Sequence, residues 1–182
     1  SKYVMVTFDD GYFSTSMAIE IFKEYDLRLT LFVAPYYLLS QKSFWSDVIH
    51  REIVERRPEN IAQVLTNFRY SSQQKREEFI IREFGKAALN PLGDGDRPLE
   101  FDELRDLFRL GNLEVGNHTM THRALSRLDR ELVEREIIDA QNTLLREAGI
   151  QATSIAYPYG YYNQTVIEVC QDLGFKYGFT TE

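Results

Sequence analysis

The feature that most limits what this chain can become is its opening, where an apolar run, a helix-spaced segment and a second apolar run follow one another. From Tyr3 to Phe8 the residues are mostly β-branched or aromatic, and the run stops at Asp9, Asp10 and Gly11, the pattern of a buried strand ending in a loop. Met17, Ala18, Ile21, Phe22 and Tyr25 then recur at helical spacing, with Ser14 or Ser16 as N-cap. Leu29 to Val33 reads as a second buried strand. Parallel pairing through a right-handed helical crossover is the economical way to bury both strands, so the opening predicts an α/β sheet covered by helices.

The same rhythm returns after residue 110. A short strand is expected at Leu113 to Val115, followed by a loop carrying His118 and His122. Asp129 then caps a long helix whose stripe is Val133, Ile137, Ala140, Leu144 and Ala148, and Gly149 ends it. A strand from Thr153 to Tyr157 leads into Pro158, Tyr159 and Gly160; a helix capped near Asn163 runs to Gly174, and a last strand runs from Phe175 toward Thr181. Residues 36–110 differ, with three helical patterns and no strand. The first carries Trp45, Val48, Ile49 and Ile53; the second opens on a capping box of Ser71 with Gln74 and runs through Phe79, Ile80, Phe84 and Ala87; the third is Phe101 to Leu110, stopped by Gly111. Most of this stretch reads as a helical insertion over one side of the domain.

A length of 182 residues fits one domain, and 43% hydrophobic with 13% aromatic residues fills its core. The net charge of −7, with basic residues dispersed among acidic ones, argues against nucleic acid as a partner. Cys170 is the single cysteine, which excludes an internal disulfide, and its neighbours Val166, Val169 and Leu173 make it a core thiol. No apolar run reaches ~18 residues and no signal-peptide pattern is present, so nothing in this sequence spans a membrane. Oligomeric state and localisation stay open.

Three loops carry the candidate chemistry, each at the C-terminal end of an expected strand, where α/β sheets and barrels collect functional groups. His118 and His122 are four residues apart in GNHTMTHRAL; on a helical turn both imidazoles would face one ion. Gly116 and Asn117 favour a tight backbone before the pair, and Thr119 and Thr121 offer hydroxyls to support it. Asp9 and Asp10 do not mark a hairpin, because helix rather than strand follows Gly11. One carboxylate completes a two-histidine metal site with a position left for water, and the other takes that water's proton.

TFDDG at Thr7 to Gly11, LTLFV at Leu29 to Val33, EVGNHTMTH at Glu114 to His122 and AYPYG at Ala156 to Gly160 occur in the order and context of the NodB-homology polysaccharide deacetylases, carbohydrate esterase family four. The chain resembles that family over nearly its whole length apart from the helical stretch. The resemblance implies a distorted (β/α) barrel with fewer than eight strands, incomplete at the C-terminus, with the all-helical insertion over one side. It places the general base on Asp9, the metal ligands on Asp10, His118 and His122, and an oxyanion-binding backbone N–H on Tyr159. Pro158, Tyr159 and Gly160 become the substrate-contacting turn. Two departures stand out. Ala156 occupies the position where the family often has an arginine that orients the base, and the family's tryptophan wall and general-acid histidine come from motifs beyond the last strand read here.

The function these readings imply is metal-dependent hydrolysis of N-acetyl groups on a β-linked amino sugar polymer, such as an exopolysaccharide, peptidoglycan or a chitin-like chain. Zinc is the expected ion, with cobalt, nickel or iron compatible with the same ligands. Family analogy favours an extracytoplasmic or envelope setting, with a polysaccharide or oligosaccharide as partner. The missing motifs lead to the expectation that these residues are part of a longer polypeptide and turn over poorly alone, with Tyr159 or His50 the first proton donors to test. Rival readings are O-acetyl ester or other amide hydrolysis at the same site, and a metal-containing carbohydrate-binding module without turnover. Trp45 reads mainly as core, with a sugar-groove wall as its alternative.

Overall fold

The computed structural model describes residues 4–54 and 61–181. Five parallel strands form one sheet in sequential order: β1 (Thr7–Phe8), β2 (Leu29–Val33), β3 (Leu113–Asn117), β4 (Ser154–Ala156) and β5 (Tyr177–Phe179). An order without reversal is that of a (β/α) barrel; a doubly wound sheet would reverse and open a crevice at the reversal. Of the strand expected from Tyr3 to Phe8, Tyr3 lies outside the described residues, and among those described the pairing covers Thr7 and Phe8, opposite Thr30 and Leu31. The last expected strand is likewise shorter, at Tyr177–Phe179.

β2 is buried along its whole length, as parallel strands covered on both faces are. Leu29, Leu31 and Val33 join Ile19 of α1 (Thr15–Glu24), Leu104 and Leu107 of α6 (Phe101–Arg109) and Leu144 of α7 (Arg130–Ala148) in one core cluster. Phe32 lies opposite Gly116 of β3 and 5.0 Å from the Phe179 ring. A Cβ at Gly116 would sit 2.3 Å from the Phe32 ring, so that ring is what requires a glycine here. Gly116 and Asn117 are thus strand residues and not the turn expected from sequence.

Residues 36–110 are helical and hold no strand among those described, but the helices outnumber the three expected patterns. They are α2 (Pro35–Ser40), α3 (Trp45–Val54), α4 (Ile61–Tyr70), α5 (Gln73–Phe84) and α6. α2 starts on Pro35, whose missing N–H costs nothing in a first turn. α4 contributes Leu65 and Phe68 to a second core of Tyr37, Phe44, Trp45, Val48, Ile49 and Ile80. Ser72, not Ser71, caps α5, accepting from the Lys75 N–H. Trp45 is 2% exposed and belongs to this core; it lines no groove.

α7 follows its sequence pattern closely. Asp129 accepts from the Leu132 N–H at 2.9 Å, Val133, Ile137, Ala140 and Leu144 are buried, and Gly149 closes the helix at φ 69°. Asn163 caps α8 (Gln164–Asp172) through the Val166 N–H. Ser14 stands at the N-cap of α1 without a side-chain bond. Cys170 is buried among Val166, Val169 and Ile155, and burial pushes its thiol up to about 11.

Candidate metal centre

The loops after β1, β3 and β4 meet at the C-terminal end of the sheet. Six non-glycine residues have positive φ among those described, and four of them, Asp10, Thr119, His122 and Tyr159, lie in these loops. Backbone held in that region costs of order 1–3 kcal/mol per residue, and it persists where surrounding bonds over-determine it. Here they do. Asp10 (φ 76°) and Gly11 (φ 96°) make a left-handed turn, fixed by the Ala34 N–H on the Asp10 carbonyl and the Leu99 N–H on the Gly11 carbonyl.

The segment from His118 to His122 is not helical; it is an irregular turn, so the shared face expected from a four-residue spacing comes about differently. Asn117, fully buried, anchors to α7 by donating to the Ile137 carbonyl and accepts the Thr119 N–H at 2.8 Å. Glu136 of α7 accepts both the N–H and the hydroxyl of Thr121, and its own carbonyl takes the Met120 N–H. Arg76 of α5 donates to the Thr121 carbonyl at 2.9 Å. The N–H groups of His118, Thr119, Met120 and Thr121 and the Thr121 carbonyl thus each have a partner, which holds a short irregular segment in place.

At the centre, Asp10 Oδ1 lies 3.2 Å from His122 Nε2 and 3.6 Å from His118 Nε2. One ligand atom from each of the three residues falls within 4.8 Å of the others. A tetrahedral ion with bonds near 2.1 Å has ligand edges of about 3.4 Å, which the two measured separations bracket. His118 Nδ1 is 2.9 Å from the Ala156 carbonyl, which can only accept, so Nδ1 carries the proton and the Nε2 lone pair points at Asp10. His122 Nδ1 is 3.0 Å from the Tyr159 hydroxyl; when its Nε2 ligates, Nδ1–H donates to that oxygen. Asp10 Oδ1 is buried and has no hydrogen-bond partner among the described residues. A lone pair and an orphaned carboxylate oxygen converging on one point is a poor arrangement for protein alone, and the donor set fits a divalent cation.

The electrostatics agree. Burial raises Asp10 from its ordinary 3.8 to about 6, His118 opposes this, and Asp9 and Asp47 add to it. Burial holds His122 well below its ordinary value, helped by His118 and Arg76. Arg76 is itself fully buried, with no carboxylate partner among the described residues; its guanidinium is satisfied by the carbonyls of Phe68, Arg69 and Thr121 and by Gln73. Burial, with the Arg76 guanidinium nearby, keeps His122 neutral, the state in which imidazole ligates.

The other sequence candidates fall as follows. Asp9 is exposed, directly beside Asp10, and among the described residues no hydrogen bond or ion pair orients its carboxylate. Pro158 to Gly160 form a single tight turn in which Tyr159 has φ 62° and Gly160 φ 70°. A Cβ at Gly160 would lie 2.9 Å from the Thr181 backbone nitrogen, so no side chain fits there. The Tyr159 N–H donates to no described residue, while its ring packs 4.7 Å from His122. His50 is exposed on α3, in a pocket with Tyr12, Asp47 and Asp96. Sequence reasoning missed Glu136 and Arg76 as supports of the histidine loop, and named Asn117 for its backbone and not for the side chain that anchors the loop. Asn117 and Arg76 are buried polar residues whose chemistry is visible in sequence only once their burial is known.

A sequence profile of the polysaccharide deacetylases matches residues 1–178. Among solved structures the chain is similar to the deacetylase PplD of Streptococcus pyogenes in complex with acetate, at 20% identity and TM-score 0.63, covering 100% of this chain and 57% of that one. IcaB from Ammonifex degensii matches at 18% identity and TM-score 0.63, over 99% and 60% of the two chains. A family 4 carbohydrate esterase from Streptomyces lividans in complex with acetate matches at 19% identity and TM-score 0.57, over 96% and 60%. The chain thus spans about three-fifths of the length of these structures, and the likeness at such identities is one of fold. No curated protein sequence matches it. With the profile covering almost every residue and the barrel topology in agreement, the chain belongs to the polysaccharide deacetylase family.

Proposed function

We propose that the chain removes N-acetyl groups from a β-linked amino sugar polymer, using a divalent metal, most simply zinc, held by Asp10, His118 and His122. The observation that carries this reading is the orphaned Asp10 oxygen between two imidazole nitrogens whose other ring nitrogens are already engaged. A bound divalent ion supplies Lewis acidity toward a carbonyl oxygen and makes water a nucleophile near neutral pH. The chain's own residues do the rest. Asp9, exposed beside the ligands, accepts the proton of the attacking water. The free Tyr159 N–H, aimed by a strained turn, donates to the oxygen on which negative charge develops. Ala156 and Tyr159 hold the two imidazoles, and Pro158 and Gly160 shape the turn against the substrate.

Acetate release from an N-acetylglucosamine oligomer tests the reading. Release that stops with chelator and returns with zinc supports it; release indifferent to chelator overturns it. One observation favours a metal-containing module without turnover, namely that nothing among the described residues orients Asp9 and that Ala156 stands where an arginine often does. In that case the protein binds zinc and oligomer and releases no acetate from either N-acetyl or O-acetyl substrates.

A further inference from the structure

Beside the metal centre lies an open cavity of about 560 Å³, walled by Tyr70, Ser126, Arg127, Tyr161, Tyr162 and Asn163. It is joined to the centre through aromatic rings. Tyr159, bonded to His122, is 6.1 Å from the Tyr161 ring, and Tyr161 lies nearly parallel to Tyr70 at 6.2 Å and 10°. Arg127 stands 4.2 Å over the Tyr70 ring, and Arg69 lies 5.0 Å over Tyr159 and 5.9 Å over Tyr161, donating to the Tyr161 hydroxyl. Neither arginine forms an ion pair among the described residues, in contrast to Arg97 and Arg130, which each pair with carboxylates.

We propose that this ledge of tyrosines and arginines is a saccharide subsite that takes a sugar ring bearing a negative charge, as a carboxylate or a phosphate. The exposed Tyr161 and Tyr162 rings offer flat apolar faces of the kind that seat the C–H face of a sugar. A guanidinium lying on an aromatic face keeps the N–H groups of its edge free for a ligand, and its fork matches carboxylate and phosphate oxygens. The balance of donors and acceptors then decides the class of sugar. Among the described residues no acidic one lines the cavity, although the chain has 28 Asp and Glu in 182 residues. The Asn163 amide is spent internally, donating to the Ser126 carbonyl and accepting from the Val166 N–H. What is left is the Arg127 guanidinium, a donor-only cation, among hydroxyls that can donate or accept, a setting in which an anionic group finds a partner that a neutral sugar does not use fully. The net charge of −7 does not oppose this, because the complementarity is local and close-range.

The inference rests on the deacetylase reading for its glycan, and its test is separated from that reading by working without metal. Calorimetry on the 182-residue chain in chelator would compare an N-acetylglucosamine tetramer with tetramers carrying one uronate or one phosphate ester. The ledge predicts that at least one charged tetramer binds about tenfold or more tighter than the neutral one at low salt, and which of the two does so names the anion. Arg127→Gln should bring the charged tetramer down to the affinity of the neutral one, Arg127→Lys should retain part of the preference, and Tyr70→Ala should weaken all three. Equal binding of charged and neutral tetramers, or a preference that survives Arg127→Gln, overturns the subsite. Loss of acetate release with the charge preference intact would instead count against the catalytic reading alone.

Discussion

Replacing Asp10 by asparagine should move stability in opposite directions with and without metal. In the metal-free protein the Asp10 carboxyl is raised from 3.8 to about 6 by burial, Asp9 and Asp47. A group with a raised folded value supports the fold fully below its unfolded value and loses that support as pH rises through the folded one. At pH 7.5 the ionised form therefore opposes folding by about 3 kcal/mol on this rise alone. The side chain keeps 23% exposure, so solvent screening brings this to about 2 kcal/mol. Asp10→Asn removes the charge and should raise the melting temperature in chelator by about 5 °C, a gap that closes toward pH 4. With zinc at about 100 times its Kd, the wild type should gain about 2.7 kcal/mol and overtake the variant, which gains little. Calorimetric or fluorimetric melting at the two pH values, with chelator and with zinc, measures all four states. A variant less stable than wild type in chelator, or one that gains as much from zinc, would refute the reasoning.

Other outcomes follow from the same geometry. Asp9→Asn should leave zinc affinity intact and lower turnover by about 10² to 10⁴, the usual worth of a general base; equal loss of zinc in this variant and in Asp10→Asn would show the two roles reversed. Glu136→Gln and Arg76→Lys touch no ligand, yet each should weaken zinc binding by about 10- to 100-fold, measured by competition with a chelating dye, because the Thr121 backbone would lose its anchors. Gly116→Ala should destabilise the fold by about 1–3 kcal/mol in denaturant titration, since the new methyl meets the Phe32 ring at 2.3 Å.

The strands and the long helix were legible because their patterns are strong. Leu29 to Val33 is uniformly apolar, and α7 carries a cap, a complete stripe and a terminal glycine. α2 was not, because it is only six residues long, and α4 was overlooked although Ile61, Val64, Leu65 and Phe68 recur at helical spacing in its sequence. At the site, the residue types at Asp10, His118 and His122 announced their chemistry, and the structure brings the three together. The route by which they converge was misread, since a helical turn was expected where Asn117, Glu136 and Arg76 instead hold an irregular one. Those supports come from residues 15 and 45 positions away or from an ordinary strand end, and nothing in local spacing distinguishes a half-buried glutamate that accepts two bonds from one that faces water.

The central claim, that Asp10, His118 and His122 form one metal centre, is tested most directly by anomalous diffraction at the zinc edge from crystals grown with zinc. The account predicts a single strong peak about 2.1 Å from His118 Nε2 and from His122 Nε2, with an Asp10 oxygen at a similar distance and Asp9 outside the bonding range. A peak elsewhere on the protein, or no peak between these three side chains at saturating zinc, would contradict it.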